Sequence, residues 1–387
     1  GPPFALAGPA WFGPMGGQMS QPQEFEKVLD QSAASVAHFD EHRSGLRKLQ
    51  HYLHSNPAAV PMIVLVALII FFAAARDGSV LLEFRWITGD FEGLRFFSAY
   101  TLTLIMQQVA VVGILAAAQT LVILTAGIDL AIGVVMVFAF VLMGHAVLTY
   151  GLPWYLAIIA GFLLAGLCGW INGYLVARLR LPPFIVTLGT WNVFMAVCLI
   201  YSANETMREA DLTALTTGLH FFGNRFELGG AQITYGVICM VLVYVALWYM
   251  LNYTAFGRHI YAVGDDPDAS ELSGIRVSRV LIGVYALAGL IAALAAWVSI
   301  GRNGSISPST VTTDFNLQAI TAAVIGGISL FGGRGSILGV LFGTLIVGVM
   351  SMGLNMLGAD PQWKVLLTGI LIIGAVAIDQ WIRKVSG

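Results

Sequence analysis

At 387 residues, 58% hydrophobic and only 10% charged, with a mean hydropathy of +0.82, the chain is far poorer in charge than a soluble domain at about 25%. A fold in water could not hide so much apolar surface, so composition predicts an all-α polytopic membrane protein. A net charge of −2 without any basic block excludes a nucleic-acid partner, because nothing is present to neutralise phosphates.

Residues 1–20 are rich in Gly and Pro without a period, and Gly1-Pro2 is what a cleaved tag leaves, so this segment reads as a tag remnant or disordered lead. Residues 21–57 carry mixed charge, with Phe25, Leu29, Val36 and Phe39 near helical spacing. They predict a cytoplasmic juxtamembrane helix, either a solvated anchor or a docking element.

Ten apolar runs follow, at about 58–75, 99–125, 131–150, 153–177, 183–202, 230–252, 279–300, 317–331, 336–356 and 363–382. Most reach the roughly 20 residues needed to cross the hydrocarbon. The second is too long for one straight span and the eighth short and Gly-rich, so either is a candidate for a broken or tilted helix. The runs divide the chain into a first transmembrane half (58–202), a periplasmic loop (203–229) and a second half (230–386). With the N-terminus inside, the inner segments hold twelve of the 19 Lys and Arg. That excess predicts cytoplasmic termini and a cytoplasmic loop at 257–279.

A weak repeat stands at an offset near 206. Gly127-Ile128-Asp129 through Val135 lines up with Gly333-Arg334-Gly335 through Leu341, and Trp170 to Arg178 shadows the stretch ending at Lys384. Spans three and four thus read like spans nine and ten in the same orientation. Repeats occur around the central path of transporters.

No enzyme motif is present: no H-E-x-x-H, no Walker A lysine, no G-x-S-x-G. Gly326-Gly327 and Gly332 to Ser336 read as a tight turn between packed helices rather than a phosphate cradle. Cys168, Cys198 and Cys239 lie inside apolar runs at no metal-like spacing and read as small buried hydrophobes. Metal ligands and catalytic residues are therefore not expected.

Polar groups within apolar runs are costly unless they face protein or water. Asp129, in Leu124-Thr125-Ala126-Gly127-Ile128-Asp129-Leu130-Ala131, reads as the N-cap of the third span, with a direct transport role as the alternative. Gln107, Gln108, Gln119, Asn172, Asn192 and Asn355 suit either a path for a neutral polar solute or interhelical hydrogen bonds. The scarcity of buried acids weighs against a proton- or sodium-coupled carrier. In the outer loop, Asn204, Glu205, Arg208, Glu209 and Asp211 are either solvated or a charged docking face for a periplasmic protein.

The loop 257–279 predicts a two-turn helix, opened by Pro267 after Asp265 or Asp266 as cap and ended by Gly274 in a left-handed turn. Asp268, Ala269, Glu271 and Leu272 fall on it. It is either a solvated connector or the part that a soluble motor grips.

Several motifs in order resemble one family: Leu124 to Leu130, Ile171-Asn172-Gly173, Leu181 to Gly189, Gly257-Arg258 through Gly264, and Ala323 to Ser336. The family is the membrane permease subunit of bacterial monosaccharide ABC importers, and the resemblance covers about residues 45–386. Within it the chain is most similar to the fructose permeases, notably in Tyr201 to Thr206 and Asp360 to Trp363. The resemblance implies an inner-membrane protein pairing with a second copy, an ABC ATPase and a periplasmic sugar-binding protein. ATP and Mg would then lie on the ATPase, with no cofactor on this chain, and 265–274 would be the coupling segment. Residues 76–95 look longer than the family's usual connector. The expectation is a sugar permease working by alternating access. The alternatives are an ABC permease for a nucleoside or branched-chain amino acid, an ion-coupled carrier or channel, and a scaffold.

Overall fold

The computed structural model describes residues 58–82, 95–96, 98–208, 218–302, 305–306, 308 and 314–386. The expected tag remnant and juxtamembrane helix, and residues 83–94 of the long connector, lie outside them.

Helix α1 (Ala59–Leu82) loses helical geometry at Asp77, whose carboxylate accepts the amides of Arg95 (3.2 Å) and Phe96 (2.8 Å). Both ends of the connector are thereby pinned at one buried acid. Helix α2 (Ala99–Leu124) starts where Ser98 accepts the Thr101 amide and runs unbroken for 26 residues, roughly 39 Å. The second apolar run is therefore a single long helix, and most of it is buried among its neighbours.

A non-helical stretch leads into α3 (Ile132–Leu148), which is buried on nearly every side. Then come α4 (Trp154–Arg178) and α5 (Pro183–Ser202). The segment expected to be a plain outer loop holds structure of its own. Strand β1 (Met207–Arg208) precedes a 3-10 turn at Phe221–Gly223, and β2 (Arg225–Leu228) pairs with β3 (Ala231–Thr234) as an antiparallel hairpin. Gly229 and Gly230 both take positive φ at its turn, the backbone that a two-residue hairpin requires.

Helix α6 (Tyr235–Tyr253) carries the chain to the opposite end, where α7 (Ala255–Asp265) and α8 (Pro267–Leu272) form a short helical limb. The soluble-looking segment is thus mostly helix. It returns through α9 (Val277–Arg302) to β4 (Ser305–Ile306), which pairs with β1. The short eighth run forms α10 (Asp314–Ile325), stopped by Gly326 and Gly327, and is followed by a turn into α11 (Ile337–Met356) and α12 (Pro361–Ser386).

The chain is an all-α polytopic membrane protein apart from these small strand pairs. Among the described residues seven helices are long and apolar enough to cross a membrane, with shorter apolar helices at 132–148 and 315–325. Lipid tails are as apolar as leucine, so helices associate there by close packing rather than by the hydrophobic effect. The α4–α9 contact shows how. Ala165, Gly169 and Gly173 recur every fourth residue on α4, and a Cβ on Gly173 would stand 2.8 Å from the Ile282 Cα of α9. Cys168, Cys198 and Cys239 are buried free thiols, as expected of small apolar residues.

Candidate functional site

The limb at the α7–α8 end is built from local rules. Thr254 accepts the Gly257 amide and opens α7, which buries Gly257, Ile260, Val263 and Gly264 and exposes Arg258 and Asp265. Asp266 caps α8 by accepting the Ala269 amide at 2.9 Å, and Pro267 follows at the first helical position. Gly274 takes φ +86 with open space around it, the left-handed stop that the sequence predicts.

Of the eight residues expected there, Asp265, Asp266, Pro267, Asp268, Ala269, Glu271, Leu272 and Gly274 all lie exposed along one limb. Leu272 is 90% exposed, although a leucine of this helix could have turned inward. Ser270 and Ile275 anchor the limb from beneath, joined by a 3.0 Å backbone bond. Tyr261 on α7 donates to the Gly335 carbonyl at 3.0 Å, and burial holds its phenol above the usual value, so it stays a neutral donor.

The residues expected to line a path differ in their contacts. Gln119 and Asp129 do meet. With the Gln119 carboxamide oriented by its hydrogen bonds, its nitrogen donates to the Asp129 carbonyl (3.0 Å) and its oxygen accepts the Asp129 amide (3.2 Å). The Asp129 carboxylate accepts the Ala131 amide at 2.7 Å. Helix α3 begins only at Ile132, with Ala131 at the cap position. The acid therefore ties the stretch entering the helix rather than standing at the cap itself.

Two residues that the sequence reading missed hold the same stretch, and a third packs beside it. Thr187 donates to the Ile128 carbonyl at 3.0 Å, and Asn316 donates to the Leu130 carbonyl while accepting the Gly133 amide. The hydroxyl of buried Tyr285 lies where a Cβ on Gly127 would come within 2.9 Å. Asn316 opens a short Gly-rich run and Thr187 lies in an apolar one, so only their polarity marked them.

Gln108 donates to Ser351 at 3.0 Å, an interhelical bond between α2 and α11. Asn192 is exposed and donates to the Leu188 carbonyl of its own helix, and Asn355 is exposed. Gln107 Nε2 and both amide atoms of fully buried Asn172 meet no hydrogen-bond partner among the described residues. Among those residues no group of His, Cys, Asp and Glu could hold a metal ion.

A family model described as branched-chain amino acid transport system / permease component matches residues 101–376. The chain belongs to this permease family. It is similar to the fructose import permease protein of Rhizobium meliloti, at 58% identity over 94% of this chain and 97% of that protein. It is 39% identical to the ribose import permease protein of Bacillus subtilis over 71% of this chain and 83% of that relative. The D-allose transport system permease protein of Escherichia coli is 34% identical over 77% and 89%. No solved structure matches. Membership makes the chain a multi-pass permease component, with sugar permeases among its relatives.

Proposed function

We propose that the chain is the inner-membrane permease subunit of an ATP-driven importer for a monosaccharide, with fructose the first candidate. The observation that carries the substrate is the 58% identity, over nearly the whole of both chains, to a fructose import permease. Ribose is the second candidate, on the 39% relative.

The α7–α8 limb is the part that would grip a partner ATPase. A short helix presenting one bare leucine among acids at the end of the molecule offers an apolar contact with a charged surround. Burying a leucine side chain is worth about 1.5–3 kcal/mol, roughly ten- to a hundredfold in affinity. Energy would come from ATP and Mg on that partner, a second copy would complete the pathway, and a periplasmic binding protein would supply most of the selectivity.

The test is uptake of labelled fructose into vesicles holding this chain with the cognate ATPase and binding protein. Uptake should require ATP and the ATPase. Full-rate uptake by the chain alone, without ATP, overturns the reading. Leu272→Asp should lower ATPase retention about tenfold or more in a pull-down while leaving the helices inserted. Retention at wild-type yield would remove the limb from the contact.

A further inference from the structure

Three backbones meet where α7 gives way to α8. Leu124, the last residue of α2, and Ala126, in the turn that follows, lie on one side, and Gly332 and Gly333, in the turn before α11, lie on the other. Gly264 is wedged between them. The Gly333 amide donates to the Leu124 carbonyl at 3.0 Å. A Cβ on Gly332 would stand 2.6 Å from the Gly264 carbonyl and 2.7 Å from the Ala126 amide. One on Gly333 would stand 2.7 Å from the Asp265 Cα, and one on Gly264 would strike the Leu124 carbonyl.

Ala126 and Gly332 are equivalents in the internal repeat, 206 residues apart, and they abut each other. Both take left-handed backbone, φ 58 and φ 81. The two repeats therefore touch at matching points, and the α7–α8 limb is clamped to both.

Contacts between side chains can yield by changing rotamer, but backbones in van der Waals contact can only move together or separate. Behind the junction stands the stretch 125–131, with Gln119 holding the Asp129 backbone. We propose that this glycine junction makes the α7–α8 limb and the two repeat turns one rigid body. Gly264, Gly332 and Gly333 are then positioning residues for import, carrying movement of the limb into the buried stretch that holds Asp129. This rests on the limb being the ATPase contact, and it adds where the movement goes.

The experiment measures sugar imported per ATP hydrolysed, using the full chain assembled with the cognate ATPase and binding protein in vesicles and labelled fructose as the probe. Gly264→Ala and Gly333→Ala pry the junction apart. They should retain the ATPase at wild-type yield and keep hydrolysis within about twofold, while import per ATP falls about tenfold. Gly358→Ala, at φ +71 with open space around it, matches the left-handed strain of Gly333→Ala (φ +69) without its contact and should keep the wild-type ratio. Tyr261→Phe adds no atom and removes only the bond to Gly335, so it carries the test if the alanine variants do not insert. Its ratio should fall about threefold. A wild-type import-per-ATP ratio in Gly264→Ala, or in Tyr261→Phe where the alanine variants do not insert, overturns the proposal. So does a fall of import and hydrolysis together with the amount of assembled complex. Loss of ATPase retention by the wild-type chain would instead overturn the docking reading, and this proposal with it.

Discussion

The two repeat-related turns, 125–131 and 326–336, lead into buried helices of similar length and touch at Ala126 and Gly332, yet they are held by different means. The first is held by side chains reaching in from α2, α5 and α10: Gln119 on the Asp129 backbone, Thr187 on Ile128, Asn316 on Leu130. The second is shaped by glycine, with positive φ at Gly327, Gly332, Gly333 and Gly335 and a Ser329 amide bonded to the Arg334 carbonyl. A turn held from outside depends on its partners. A glycine turn depends on the space left for its own backbone.

That difference can be broken from either side. The largest effect should come from bulk in the glycine turn. A Cβ on Gly326 would stand 2.5 Å from the Val340 Cα and 2.8 Å from the Gly339 carbonyl. Gly326→Val should therefore destabilise the protein by about 3 kcal/mol, seen as a lower midpoint of thermal unfolding in detergent. The same turn should tolerate polar changes that add no backbone contact.

Next comes Asn316→Ala, which leaves the Leu130 carbonyl and the Gly133 amide without their side-chain partner. A loss of about 2 kcal/mol is expected by the same measurement. A loss no greater than that of Thr187→Val would show that the first turn holds itself.

The smallest effect should be Asp129→Asn. The amide oxygen can still accept the Ala131 amide, so stability should change by less than about 0.5 kcal/mol, leaving the unfolding midpoint near wild type, and import should persist. Retained stability with abolished import would instead assign the carboxylate charge a part in transport.

Much of this was legible in advance. The cap of α8, Pro267 at its start and the left-handed Gly274 follow from rules acting over a few residues, and the structure shows each of them. The ten apolar runs mark the ten helices outside the limb among the described residues, although the eighth, expected to reach residue 331, is helical only to Ile325. The hairpin at 225–234 was missed although Leu228-Gly229-Gly230-Ala231 is a turn signal, because the flanking strands have only four residues each. Asp129 was read as a cap, and its carboxylate does tie backbone amide at that place. That Gln119 would be the residue holding it has no local signal, since the pair is set by how α2 passes the turn.

Composition and apolar spacing by themselves determined a multi-pass helical membrane protein, because no folded chain in water could bury so much apolar surface. Caps and stops encoded within a turn or two determined the short helix α8 of the limb as well. Only the tertiary structure decided which of the 44 glycines carry a backbone contact, which polar residues pair and which stand alone, and that the two repeats meet at the base of the limb. Those outcomes depend on the approach of segments about 200 residues apart, a distance across which local spacing carries no information.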